Sequence, residues 1–74
     1  MNTWTEEFDA SVALGYTTMQ AALIADKLTR VGHEYTKDTA SAKAQAVCLR
    51  RLGTLAGAQA NAMYKRYYLY YRSL

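Results

Sequence analysis

A chain of 74 residues forms one domain at most, and so short a chain buries too little surface to be comfortably stable alone. One cysteine excludes a disulfide framework, and one cysteine with one histidine disfavours a zinc site, so association is the expected reinforcement. The net charge of +3 and the pI near 9.2 suit an acidic partner but are mild for a nucleic-acid-binding module. No apolar run in the sequence is long enough to span a membrane.

The first half of the chain predicts a helix over about residues 4–31. Thr3 and Glu6 have the spacing of a capping box, so the helix should begin at Trp4. Gly32 is suited to the left-handed conformation that ends a helix. A break at Gly15 is the alternative, and it would give three helices in the chain rather than two.

A loop over about residues 32–38 and a second helix over about 39–72 follow. Asp38 or Thr39 is the predicted N-cap of this helix. Proline is absent, and the rest of the composition favours helix, so the predicted fold is all-α: an antiparallel helical hairpin forming a single domain over residues 1–74. Gly53 and Gly57 fall within the second predicted helix, where they indicate either a close crossing with another helix or a tolerated, mildly kinked position.

Each predicted helix carries two apolar stripes, and a hairpin covers only one stripe per helix. The apolar stripe that stays uncovered on each helix predicts a homo-oligomer, which we expect to be a dimeric four-helix bundle. The predicted packing residues form the large-residue seam of the second helix: Leu49, Leu52, Ala56, Met63, Tyr67 and Tyr70.

The sequence offers little for catalysis. The only histidine, His33, lies in the predicted loop, away from any nucleophile, and Cys48 falls between apolar stripes, where a small buried hydrophobic side chain is typical. We therefore expect no enzymatic activity, no cofactor and no metal. The lone thiol and an N-terminal stretch without signal-peptide features predict a cytoplasmic protein.

Five of the seven tyrosines and three cations lie within residues 64–74. Tyrosine and arginine are over-used at binding surfaces, so this segment predicts a contact surface for another protein. The proposed contact residues are those off the large seam, together with two arginines: Tyr64, Arg66, Tyr68, Tyr71 and Arg72. The same cluster could stack on bases and hold phosphates, so RNA, single-stranded nucleic acid or a nucleotide is the alternative ligand.

In architecture, the predicted hairpin resembles plasmid copy-control RNA-binding hairpins and the short helical co-chaperones of secretion needle subunits. A compact chain without motifs is also similar to small virus-encoded inhibitors of bacterial proteins. These resemblances are of shape only and transfer no functional residue. Together with the contact surface, they lead us to expect a small non-enzymatic adaptor, co-chaperone or inhibitor.

Overall fold

The computed structural model describes residues 3–30 and 35–74. Within these ranges the chain is all-α, as predicted, and contains no strand. The helices are α1 (Trp4–Ala13), α2 (Thr18–Thr29), α3 (Lys37–Leu52) and α4 (Gly57–Arg72). The chain divides into two compact units, an N-terminal unit, Met1–Val31, and a C-terminal unit, Gly32–Leu74.

The first predicted helix is interrupted at Gly15, so the structure has two helices where the sequence predicted one over 4–31. Gly15 has a φ of 99°, which L-residues with a Cβ rarely adopt. The amides of Gly15 and Tyr16 donate to the carbonyls of Val12 and Ser11, at 2.9 and 3.2 Å, which is the hydrogen-bond pattern of a Schellman motif. The alternative of a break near Gly15 is therefore the one that the structure shows.

The restart at α2 depends on a signal that the sequence analysis overlooked. The Thr17 hydroxyl accepts a hydrogen bond from the Gln20 amide at 3.2 Å, and the Gln20 side chain accepts one from the Thr17 amide at 3.4 Å. This reciprocal pair is a capping box, which satisfies two amides that have no partner within the helix. A Schellman motif followed directly by a capping box turns the chain within four residues.

The second predicted helix is also interrupted, because Gly53 and Gly57 both have positive φ, at 79° and 83°. Gly53 has a ψ of −65°, and the amide of Thr54 donates to the carbonyl of Leu52 at 3.0 Å across it, which defines a γ-turn of the strained, positive-φ kind. Neither glycine is in the interior of a helix: Gly53 is the C-cap of α3, and Gly57 is the first residue of α4. A Cβ on either residue would meet no atom within 4 Å, so backbone conformation, not close packing within the chain, explains these glycines.

The starts of α1 and α3 agree with the two predicted helix starts to within two residues, whereas the starts of α2 and α4 were not predicted. α1 begins at Trp4, and the Thr3 hydroxyl accepts from the Glu6 amide at 3.2 Å, as predicted. α3 is capped by Thr36 instead of by Asp38 or Thr39, because the Thr36 hydroxyl accepts from the Thr39 amide. The predicted end of the first helix at Val31 to Gly32, and the loop residue His33, lie outside the described residues.

The N-terminal unit packs α1 against α2 around small side chains. Its buried apolar residues are Ala21, Ile24 and Ala25, all from α2. The indole of Trp4 donates to the Asp26 carboxylate at 2.5 Å and stacks on the Phe8 ring, with centroids 5.1 Å apart. The tryptophan therefore joins the start of α1 to the last turns of α2.

In the C-terminal unit α3 and α4 are antiparallel, since Ser41 contacts Tyr64 while the earlier Tyr35 contacts the later Tyr71. The buried apolar residues of this unit are again small: Ala40, Ala44, Ala46, Cys48 and Ala60. Alanine permits close approach of two helices but buries little area per residue. Most of the larger side chains surround this narrow core.

Candidate functional site: the C-terminal helix

Helical spacing divides α4 into an inner and an outer face. The inner face is centred on Ala60, which is buried, and carries half-buried side chains at intervals of three and four residues: Met63, Tyr64, Tyr67, Tyr68 and Tyr71. The outer face carries exposed residues, among them Arg66, Leu69 and Tyr70. Most of the tyrosines near the C-terminal end therefore point towards the rest of their own unit.

Tyr64 and Tyr68 form a ladder along one edge of the inner face. The Tyr64 hydroxyl lies 2.5 Å from the Ser41 hydroxyl on α3, and its ring is nearly parallel to that of Tyr68, with centroids 6.0 Å apart. The Arg72 guanidinium donates to the Tyr68 hydroxyl at 2.8 Å. These contacts fix the orientation of both rings and leave each partly accessible.

Tyr71 occupies the other edge, beside an almost fully buried lysine. Lys43 is 4% exposed, and its ammonium donates to the Tyr35 hydroxyl at 2.7 Å and lies 5.4 Å from the centre of the Tyr71 ring. The rings of Tyr35 and Tyr71 stack at 6.0 Å, and Tyr70 meets Tyr71 edge-on at 5.2 Å. The ammonium thus bonds to one aromatic residue and lies near the face of a second, where ring electrons attract a cation.

Burial raises the pKa of Tyr71 above its ordinary value, because a phenolate there would lose water. The neighbouring Tyr70, Tyr35 and Tyr67 raise the pKa further, since their ionised forms would repel a second phenolate, whereas the cationic Arg51 lowers it. The guanidinium of Arg51 also lies 5.5 Å from the centre of the Tyr67 ring. The cluster therefore favours the neutral phenol at position 71.

The outer face presents apolar side chains next to cations. Leu69 is 55% exposed and Tyr70 57%, and Tyr70 is the only tyrosine in the described residues that is classed as exposed. Arg66 precedes them by three and four positions, so it lies beside both on the helix surface. The exposed Leu74 follows at the end of the chain.

The proposed contact residues are divided between the two faces. Tyr64, Tyr68 and Tyr71 are half-buried and contact side chains of their own unit, whereas Arg66 and Arg72 are exposed. The predicted packing residues are divided as well: Leu49, Met63 and Tyr67 are half-buried, Leu52 and Tyr70 are exposed, and Ala56 lies in the link between α3 and α4. The contact role of the first set and the oligomer-packing role of the second set both remain predictions.

Sequence reasoning overlooked Ser41 and Lys43 as partners of the tyrosines. The burial of Lys43 could have been predicted from the sequence. By helical spacing Lys43 lies on the same face as Ala40, Ala44 and Val47, and a lone cation among small apolar residues indicates a buried amine. Leu69 is not among the contact or packing residues that the sequence predicted, and it is 55% exposed.

In the ranges 3–30 and 35–74 there is no cluster of three or more histidine, cysteine, aspartate or glutamate side chains placed to hold a metal ion. Cys48 is fully buried, and burial raises the pKa of its thiol, so the protonated form is favoured over the reactive thiolate.

Comparisons of the chain with models of protein families, with curated proteins and with solved structures found no match. None of the helices in the described residues has the length and apolar character needed to cross a bilayer.

Proposed function

We propose that this chain is a non-enzymatic protein-binding module, acting as an adaptor, co-chaperone or inhibitor, whose contact surface is the outer face of α4. One observation carries the proposal: Leu69 and Tyr70 are consecutive residues of α4, each more than half exposed, and Arg66 lies about one helical turn before both. Tyrosine and arginine are enriched among the residues that dominate binding energy at protein interfaces.

The inner-face tyrosines support this proposal in a second way. Tyr64 and Tyr68 are held by hydrogen bonds to Ser41 and Arg72, so little side-chain freedom would be lost when their exposed edges meet a partner. We propose that they form the rim of the contact surface, together with Arg72. Tyr71 supports the surface from beneath, through its packing on Tyr35.

We also propose that the chain self-associates into a dimer or a higher oligomer. Of the eight buried apolar residues in the described part of the chain, six are alanine, so the core contributes little hydrophobic stabilisation per residue. Large apolar side chains are exposed in both units: Trp4, Leu14, Met19 and Leu23 in the first, and Leu52, Leu55, Leu69 and Leu74 in the second. The sequence suggested a dimeric bundle of two-helix hairpins, but the described ranges contain four helices. The proposal is therefore for association through these exposed side chains other than Leu69, which belongs to the contact surface for the partner protein.

The single cysteine supports a cytoplasmic location, which we also propose. Cys48 is buried and has no second cysteine with which to pair. A lone protected thiol is typical of proteins from reducing compartments.

Two double variants test the contact surface. Leu69→Ala with Tyr70→Ala removes the exposed pair on α4, and Met19→Ala with Leu23→Ala removes a comparably exposed pair, 76% and 53%, on α2. Affinity capture from the native host, in the presence of nuclease, should recover a protein partner with the parent and with the α2 variant but not with the α4 variant. Equal recovery by both variants, with helicity intact by circular dichroism, would place the contact surface elsewhere.

Sedimentation velocity at micromolar concentration tests self-association of the unmodified chain. A dimer or larger species is expected. A stable, monodisperse monomer would contradict self-association and would assign the exposed apolar side chains to a different protein.

Nucleic-acid binding is the second candidate function, and the charge pattern favours it. Residues 39–74 contain six lysine and arginine residues and no aspartate or glutamate. Phosphate binding weakens steeply as salt rises, whereas an interface built on aromatic burial changes little. Titration of RNA and single-stranded DNA into the unmodified chain at low salt, followed by a salt series, separates the two candidates.

A further inference from the structure

Positive charge is concentrated in the C-terminal unit. Over residues 32–74 seven lysine and arginine side chains accompany two carboxylates, Glu34 and Asp38, for a net charge of +5. Over residues 1–31 two cationic side chains accompany four carboxylates, for a net charge of −2. The modest overall charge of +3 therefore conceals a strongly basic unit, which favours an acidic partner.

On α4 this charge surrounds the exposed apolar position. Leu69 lies four residues after Lys65, three after Arg66 and three before Arg72, and all three cations are exposed. On a helix, residues three or four apart are surface neighbours, with Cβ atoms about 5–6 Å apart. Leu69 is therefore an apolar projection within a ring of three cations.

We propose that this ring binds an acidic amphipathic segment of a partner protein, with apolar side chains of the partner against Leu69 and Tyr70 and its carboxylates against Lys65, Arg66 and Arg72. The proposal rests on the protein-binding function above and adds the chemistry of the partner. Opposite charges around an apolar contact speed association and fix its register, while a basic partner would be repelled.

The tyrosine geometry favours a protein over a nucleic acid as the acidic ligand. Base stacking requires free ring faces, but Tyr64 stacks on Tyr68, and Tyr71 stacks on Tyr35 and lies beside Lys43. Leu69, at the centre of the ring, has no counterpart in a phosphate backbone, whereas an amphipathic protein segment offers an apolar side chain at that position.

The test uses the full chain and three fluorescent probes. The first is a synthetic helical peptide with leucines on one face and flanking glutamates; the second has lysine at every glutamate position; the third is a single-stranded RNA oligonucleotide. The acidic peptide should bind at least about tenfold more tightly than the basic peptide, and its Kd should rise as salt is increased.

Charge variants then locate the site. Lys65→Glu with Arg66→Glu should weaken binding of the acidic peptide by about tenfold or more, since each reversal replaces an attraction by a repulsion. Lys27→Glu with Arg30→Glu makes the same change of charge in the last turn and C-cap of α2 and should leave binding within about twofold. Neutral Lys65→Gln with Arg66→Gln should give an intermediate loss, and it serves as the test if the reversed variant loses helicity.

Three results would overturn the inference of an acidic partner segment. Equal binding of acidic and basic peptides, or no binding of the acidic peptide at about 1 mM, would overturn the inference. The protein-binding function would still stand if capture of a partner remained dependent on Leu69 and Tyr70. Binding of the RNA alone, lost on charge reversal at Lys65 and Arg66, would overturn the inference in favour of nucleic acid.

Discussion

Replacing Gly53 by alanine distinguishes a true chain break from a continuous helix by the sign of its effect. In the structure Gly53 has a φ of 79° and a ψ of −65°, a conformation that costs an L-residue roughly 1–3 kcal/mol. A Cβ there meets no atom within 4 Å, so no clash adds to this strain and no packing offsets it. Alanine also restricts the unfolded chain, which returns about 0.4–1 kcal/mol.

The net effect is a destabilisation of up to about 2.6 kcal/mol, centred on about 1.3 kcal/mol. At that central value Tm should fall by roughly 5–10 °C for a domain of this size. In a continuous helix the same substitution would stabilise by about 1 kcal/mol and raise Tm. Thermal unfolding followed by circular dichroism at 222 nm measures the difference. Parent and variant must be compared at equal protein concentration, because self-association makes Tm depend on concentration.

A D-alanine at position 53, introduced by chemical synthesis, is the matched control. It adds the same methyl group but favours positive φ, so Tm should be maintained or rise. A Gly53→Ala variant that melts several degrees above the parent would refute the break and restore a single helix across residues 39–72.

Two further predictions test the inner face of α4. Tyr64→Phe and Ser41→Ala each remove the inter-helix hydrogen bond and should each cost about 0.5–1.5 kcal/mol in urea unfolding, with a double variant costing less than the sum; strictly additive losses would show that the two hydroxyls do not interact. Because burial raises the folded-state pKa of Tyr71 above the unfolded value of about 10, its contribution to stability is complete below that pH and is lost as pH rises through the folded pKa. Loss of the Tyr71 contribution should therefore lower Tm above about pH 10, and Tm should fall less steeply in Tyr71→Phe. In that variant Cys48, whose pKa burial also raises, remains as the other buried group. Parallel profiles for parent and variant would contradict the burial of Tyr71.

Local signals in the sequence predicted the fold class and the first helix start. The absence of proline and the Thr3 cap act within a few residues, so they can be interpreted without tertiary contacts. Thr17 and Gln20 formed an equally local signal that was overlooked, because apolar periodicity continued through Gly15 and favoured an unbroken helix.

The glycines show where local reasoning could not decide. A glycine within an apolar helical pattern is compatible with a kink, a close crossing or a turn, and these alternatives differ in φ, which the sequence does not contain. The inner and outer faces of α4 could not be assigned from the sequence either, because they depend on how α3 packs against α4. Tyr64 is oriented by Ser41, which lies twenty-three residues away in the chain.

The alanine core reverses the usual pattern of mutational tolerance. At Ala21, Ala25, Ala40, Ala44 and Ala60 there is no large side chain to truncate, so the common cavity-forming substitutions do not arise. Enlargement is the damaging change, since an extra methylene must separate two closely packed backbones. Over many generations such positions would alternate among glycine, alanine and serine, while the bulkier residues around them varied freely unless a partner constrained them.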